Sequence, residues 1–242
     1  IFLRIDIVHA RSRAPAWSCF LSCIITRTKF VTTFHGVYNF SNKLKKIYNS
    51  VMVRSNLIIA GSNFVFNHIH KNYGELITSK KRLLVIFRGI NTEYFDNSKI
   101  TSEKVKSFKS LVNFDPEKFK ILLPGRLTRW KGHEMFIESL FILKTKYGKE
   151  NFQAVILGSD QGRKVYYKKL ISMIDKYSLK SNVFFLQHAK EMPVAYYISD
   201  VVVSSSIEPE AFGRVSVEAQ AMRRPILASD HGGSKETIIN GK

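Results

Sequence analysis

The chain predicts an α/β fold built on parallel sheets, and three observations carry that prediction. Short β-rich runs alternate with longer helical patterns from one end to the other, the signature of repeated β-α units. The strand candidates are continuous apolar runs rather than alternating ones, as strands covered on both faces should be. The clearest helical segment, 131–147, sets Phe136, Leu140, Leu143 and Tyr147 at four-three-four spacing, one apolar stripe that reads as core.

Taken in order, the strand candidates are "IDIVH", "KFVTTFH", "NLIIA", "LLVIF", "FKILLPG", "FQAVILG", "NVFFLQ", "DVVVSS" and "PILAS". Between about Asn91 and Lys118 the pattern lapses into a polar stretch, "NTEYFDNSKITSEKVKSFKS", before regular units resume at "FKILLPG". That lapse is the connection between two domains, placed at 1–118, linker included, and 119–242, in keeping with common domain sizes. The first carries 19 basic and 7 acidic residues and the second 19 basic and 12 acidic, so the first is the more basic.

Composition narrows the class further. With 242 residues, 45% hydrophobic content, a formal charge of +19 and a pI near 9.9, the chain is globular and strongly basic rather than disordered. Its two cysteines, Cys19 and Cys23, stand four apart on an expected helix, which suits neither a redox pair nor a zinc set and fits a reducing cytoplasm. The longest apolar run, "APAWSCFLSCII", is shorter than the ~20 residues a spanning helix needs. The chain opens on a strand without an initiator Met and stops at "ETIINGK" in what reads as a loop, so both ends are expected to be cut.

Three stretches carry chemistry. In "LLPGRLTRWKGH" a buried strand ends at Pro124-Gly125 and delivers Arg126, Arg129 and Lys131 ahead of a helix, where open parallel sheets bind ligands. An arginine fork and a lysine point charge together can neutralise a diphosphate, although a solvated basic loop explains them equally on charge alone. The chain holds no Walker loop. In "VILGSDQG" another strand ends in a turn at Gly158, which would let a flat or anionic ligand approach the backbone and is also an ordinary β-α turn.

The third stretch is "SSSIEPEAFGRVSVEAQAM", a strand end, a loop broken by Pro209 and a helix start near Gly213 whose free N–H groups favour a phosphate. Glu218 falls about five residues into that helix, roughly 7 Å along it at 1.5 Å per residue, a distance that suits a carboxylate accepting from a ribose. Glu210, still in the loop, would face the sugar end of such a ligand. Taken singly, Glu218 is equally a solvated helix-face carboxylate and Glu210 a dipole partner.

Together, "EAFGRVSVE" resembles the E-x-x-x-x-x-x-x-E signature of family 4 retaining glycosyltransferases, enzymes of GT-B architecture with two Rossmann-like α/β domains facing across a cleft. The resemblance extends over nearly the whole chain, because "TTFHG", "IIAGSNFVFNHI", "IFRGINTEYF", "GRLTRWKGHEMFIESL", "VILGSDQG" and "SSSIEPEAFGRVSVEAQAMRRPILASDHGGSKETI" follow in the family's order. With "VHARSRAPAW" and "KIYNSVM", it is most similar to bacterial members that build lipopolysaccharide or related surface glycans.

The resemblance implies that 1–118 is a partial acceptor-side domain and 119–242 a partial nucleotide-sugar domain. It implies that Arg126 and Lys131 clamp the donor diphosphate, Glu218 holds the ribose, and Glu210 contacts the donor sugar. Phe212 and Gly213 would present backbone N–H groups, the loop at Gly158 would border the base, and His35 of "TTFHG" would act at the donor sugar. Where the family usually has N-G-x-D, this chain reads "RGIN", so Arg88 and Asn91 inherit no role. Cleavage of a nucleotide-sugar needs fixed positive charge at the diphosphate and negative charge at the sugar, and these residues supply both, so no metal or other cofactor is expected. The partners implied are a nucleotide-sugar and a glycan or lipid-linked acceptor, met in the cytoplasm.

Three further readings remain beside this one. "NFSNKLKKIYNSVMVR" reads as a helix with Phe40, Leu44, Ile47, Val51 and Met52 on one side, either core or a basic amphipathic face on the anionic inner surface of the cytoplasmic membrane. The +19 charge with interleaved aromatics also suits a nucleic-acid binder, against which stands the absence of any recognisable motif, so no nucleic acid is expected. A cut chain would also be consistent with an inactive remnant that still binds nucleotide.

Overall fold

The computed structural model describes residues 4–78, 82–189 and 191–241. Residues group into two units: one runs to Gly89 and takes in Glu210–Phe212 and the segment from Gly232 onward, and the other comprises Ile90–Pro209 and Gly213–His231.

In the first unit, strands β1 (Ile7–Ala10), β2 (Lys29–Phe34), β3 (Leu57–Ala60) and β4 (Leu83–Val85) pair in parallel in that order. Helices α1 (Arg13–Thr26), α2 (Lys43–Asn49) and α3 (Asn63–Tyr73) connect them. Phe30, Phe34, Ile58, Ala60, Val65, Ile69 and Tyr73 close the core between the sheet and α3. Helix α3 starts where it does because Ser62 is extended and its side chain accepts from the Val65 N–H, taking one of the helix's free donors. The expected single helix over 40–52 does not form: α2 ends at Asn49 and the chain tightens into a 3-10 turn over Ser50–Val53. Tighter winding divides the apolar set, so Val51 and Met52 are buried while Leu44 and Ile47 are exposed.

The second unit contains α4 (Ser102–Val112), β5 (Phe119–Pro124), α5 (His133–Tyr147), β6 (Phe152–Leu157), α6 (Lys164–Lys176), β7 (Val183–Leu186), α7 (Met192–Tyr197), β8 (Val201–Ser204), α8 (Arg214–Ala221) and β9 (Ile226–Ala228). Its strands are all parallel, in the order β7-β6-β5-β8-β9. All six residues of β6 are buried, and they divide by parity. Val155 and Leu157 join Leu122 and Val202 on one face, while Ala154 and Ile156 join Ile121, Leu123, Phe136 and Leu140 under α5 and α6 on the other. On α5 the expected stripe holds at Phe136 and Leu140 and ends before Tyr147, which is 61% exposed.

The division between units lies earlier than the expected boundary after Lys118. Phe95, Phe108 and Val112 are buried in the second core, so the polar stretch from Asn91 packs with the second unit. Short segments from the expected second domain, Glu210–Phe212 and Gly232 onward, belong to the first. There Glu236, in the short helix α9 (Ser234–Thr237), accepts at Oε2 from the Asn63 N–H (2.8 Å) and at Oε1 from the Phe64 N–H (2.6 Å), at the start of α3.

Candidate functional site

Strand order in the second sheet reverses between β5 and β8, and an open parallel sheet leaves a ligand crevice outside the carboxyl ends of strands at such a point. The turns leaving β5, β6 and β8 carry, within the second unit, Arg126, Arg129, Lys131, Gly158 and Gly213. Beyond β5, Gly125 donates to the Leu157 carbonyl (2.8 Å) and Leu127 to the Ser159 carbonyl (3.0 Å). Leu127 is buried, which anchors the loop and leaves its neighbour Arg126 exposed. The Lys131 stem folds back over Gly125, its Cδ 3.5 Å from where a Gly125 Cβ would stand, and its Nζ lies 4.6 Å from the Trp130 ring centroid.

Gly158 is needed by the neighbouring turn itself. A Cβ there would overlap the Gly125 carbonyl and stand 3.1 Å from the Arg126 N, so the space is filled by the neighbouring turn. Gly132 is equivalent on the other side: its φ is +71° and a Cβ would overlap the Ser205 carbonyl. Ser205 Oγ donates to the Lys131 carbonyl (3.1 Å), and the Ile207 N–H donates to the Trp130 carbonyl (2.8 Å). The three turns are therefore joined through main-chain atoms.

Helix α8 begins after Gly213, whose φ of +83° needs glycine, and no side chain caps its first turn. The Ser216 N–H donates to the Gly213 carbonyl (3.0 Å), and the N–H groups ahead of it are those that a helix start turns toward an anion. Glu218 is not the solvated helix-face carboxylate left open by the sequence; it is 7% exposed. Tyr196 of α7 donates to Oε2 (2.7 Å), and Arg214, one turn earlier on α8, donates to Oε1 (2.8 Å). Burial and the adjacent Glu218 charge push the Tyr196 phenol well above its usual range, so it stays a donor. Each Glu218 oxygen has a further lone pair with which to accept a hydroxyl.

A buried imidazole supports the Arg126–Lys131 loop from below. His133 is fully buried at the start of α5, and neither ring nitrogen makes a hydrogen bond of good geometry. Burial lowers its pKa to about 4; the backbone of Thr128 and Gly125 opposes this only in part, so the ring is neutral.

His35, Glu210 and Phe212 belong to the first unit. Phe212 is buried, and the Glu210 carbonyl accepts from the Gly233 N–H (2.7 Å). His35 follows β2 and is flanked by two arginines: Arg11 Nε donates to its Nε2 (2.7 Å), and Arg88 Nη2 lies against its Nδ1. Sequence reasoning missed Tyr196, Arg214, Arg11 and Arg88. Of these only Arg214 had a local signal, its i,i+4 spacing from Glu218.

A glycosyltransferase from Rickettsia africae superposes with a TM-score of 0.85 and 39% identity, covering 98% of this chain and 60% of that one. The D-inositol 3-phosphate glycosyltransferase of Paenarthrobacter aurescens is 33% identical over 136 residues, 55% of this chain and 33% of the relative. The capsular polysaccharide biosynthesis glycosyltransferase CapM of Staphylococcus aureus is 25% identical over 177 residues, 72% of this chain and 44% of the relative. The chain thus spans less than two thirds of these relatives' length. Its two parallel α/β sheets are those of the GT-B fold. Residues 2–94 match Glycosyltransferase Family 4. Because 105–242, more than half of the sequence, match Glycosyl transferases group 1, the chain belongs to that glycosyltransferase family.

Proposed function

We propose that the protein is a retaining glycosyltransferase that moves a sugar from a nucleoside-diphosphate donor to a glycan or lipid-linked acceptor of the lipopolysaccharide or surface-glycan type. The observation that carries this reading is the grouping of Arg126, Lys131, the uncapped start of α8 and Glu218 around the switch point of the second sheet. Arg126, Lys131 and the N–H groups after Gly213 take the diphosphate, Glu218 takes the ribose, and the turn at Gly158 borders the base. Glu210, Phe212 and His35 keep the sugar-side roles that the family resemblance gives them. As the glycosidic bond breaks, charge grows on the departing diphosphate, and fixed cations and oriented N–H groups stabilise it without reorganising. In this reading the residues themselves meet the charge and the reaction uses no metal.

Retention of configuration is supported by the Glu210–Glu218 spacing, and the surface-glycan class by "VHARSRAPAW" and by the likeness to CapM. Leu44 (78% exposed) and Ile47 (56%) stand among Lys43, Lys45 and Lys46, which supports peripheral binding at an anionic membrane surface. No helix among the described residues is long and apolar enough to cross a membrane. Sedimentation with anionic vesicles at low salt tests the attachment, and a protein that stays in the supernatant defeats it.

The donor reading is tested by thermal shift with UDP, GDP and ADP and their sugars. A nucleotide at a hundredfold over its Kd stabilises by about 2.7 kcal/mol. The expected result is a shift with one nucleotide series that Glu218→Ala abolishes; an undiminished shift in that variant would falsify the ribose assignment. Sugar transfer measured in parallel separates an enzyme from a chain that binds nucleotide without turnover.

A further inference from the structure

The imidazole beneath the cation-bearing loop takes no part in the donor chemistry proposed for that loop. His133 opens α5, is fully buried, and makes no hydrogen bond of good geometry at either ring nitrogen. Two backbone groups of the loop, at Thr128 and Gly125, nevertheless come close enough to favour its charged form, and a backbone group that favours an imidazolium is a carbonyl. These two residues bracket Arg126. A neutral imidazole carries one N–H and can serve only one of two acceptors, whereas an imidazolium carries two. Of the charged groups nearby, Lys131 on the loop opposes a positive ring and Glu134 on α5 favours it. From α6, Tyr166 packs edge-on with 6.1 Å between ring centroids, and Lys169 pairs with Glu134. Burial first, and the Glu134 charge second, push the Tyr166 phenol up to about 12 against the opposing charge of Arg129. The phenol therefore stays neutral, and the imidazole is the group in this cluster that can titrate in mild acid.

We propose that His133 is a positioning residue of the donor seat: as a diphosphate docks on the Arg126–Lys131 loop, the ring takes a proton from solvent and donates to the Gly125 and Thr128 carbonyls together. The inference rests on the donor reading, because the diphosphate supplies the trigger. Without ligand, burial and the Lys131 charge keep the ring neutral. Phosphate charges brought to the loop offset that repulsion and attract a proton to the site below. The imidazolium then ties down the main chain on both sides of Arg126 at the moment its guanidinium is needed. Linkage makes the coupling reciprocal: a donor that favours the protonated ring binds more tightly as the pH falls toward the range where the ring is charged. An imidazole that only fills space has no such coupling.

The test is a pH titration of the full chain, carrying ¹³C-labelled histidine, free and saturated with UDP-glucose, GDP-mannose or ADP-glucose, whichever gives a thermal shift. Their diphosphates are diesters that stay ionised in mild acid, so the ligand itself does not titrate. The His133 ring signals are assigned by their loss in His133→Gln and again in His133→Asn. We expect the ring to titrate roughly two pH units higher with the donor bound, and donor affinity to rise roughly threefold between pH ~7 and pH ~5.5. His133→Gln keeps a side-chain N–H but cannot take a proton, so its affinity should be flat over that range. Measurements on the unsubstituted chain decide the matter by themselves if that variant does not fold. A ring that titrates at the same pH with and without donor, or an equal pH slope in His133→Gln, would overturn the proposal and leave the donor reading standing. If no sugar nucleotide gives a thermal shift, the donor reading falls and the proposal falls with it.

Discussion

Tyr196 and Glu218, 22 residues apart in sequence on neighbouring helices α7 and α8, share a 2.7 Å hydrogen bond in the interior of the second unit. The phenol fixes one carboxylate oxygen while Arg214 fixes the other, so the side chain proposed to receive the ribose has a set orientation before any ligand arrives. Tyr196→Phe leaves Oε2 with its desolvation cost and no donor. A loss of ~1–3 kcal/mol in urea unfolding is expected, together with weaker nucleotide binding. Stability and affinity both unchanged would show that the bond does not hold the carboxylate.

Gly158→Ala should destabilise the second unit without touching any charged group. Its Cβ would overlap the Gly125 carbonyl, and forcing extra atoms into a packed region typically costs ~1–3 kcal/mol. Gly74→Ala is the control, because a Cβ there meets nothing within 4 Å. A lower Tm for the first substitution and little change for the second is the expected pattern.

His133 predicts a pH dependence of stability. Its pKa falls to about 4 in the folded chain from an ordinary value of about 6.5, so between those values the unfolded chain binds the proton and the folded chain does not. The contribution is complete above pH ~6.5 and is lost as pH falls through the folded value, a difference of about 3 kcal/mol at 1.36 kcal/mol per pH unit. Urea midpoints at neutral and mildly acidic pH, compared with those of His133→Leu, measure it; the variant should show a shallower acid slope.

Glu236 replaces solvent at the start of α3, where it accepts from two backbone N–H groups and from Asn63 Nδ2 (2.9 Å). Glu236→Ala should cost ~1 kcal/mol in urea unfolding, the usual worth of such a cap, and Glu236→Gln less, since its carbonyl still accepts. Equal losses for the two variants would point to packing rather than to the hydrogen bonds.

All nine expected strands are present, because buried parallel strands announce themselves as unbroken apolar runs between turn residues. The domain boundary was harder to read. Polar residues dominate 91–118, yet Phe108 and Val112 on one side of α4 suffice to dock it on the second core, and their i,i+4 spacing was the available signal. The cation-bearing turn, the glycine before α8 and Glu218 were legible as residue types at strand ends. Their supports were not: Tyr196 reaches Glu218 only through the packing of two helices, and Arg11 and Arg88 reach His35 only because β1, β2 and β4 end at the same edge. Gly158 was marked for close backbone approach, and the Gly125 carbonyl is one neighbour that requires it.

The main-chain interlock of Gly125 with Gly158 and of Gly132 with Ser205 has a consequence for how such a scaffold diversifies. Since the frame is held by atoms every residue shares, exposed side chains on these turns can be exchanged between lineages without loosening it. New sugar or base preferences can then accumulate by single substitutions around an unchanged seat, and the few positions that resist exchange are the glycines that let the turns touch.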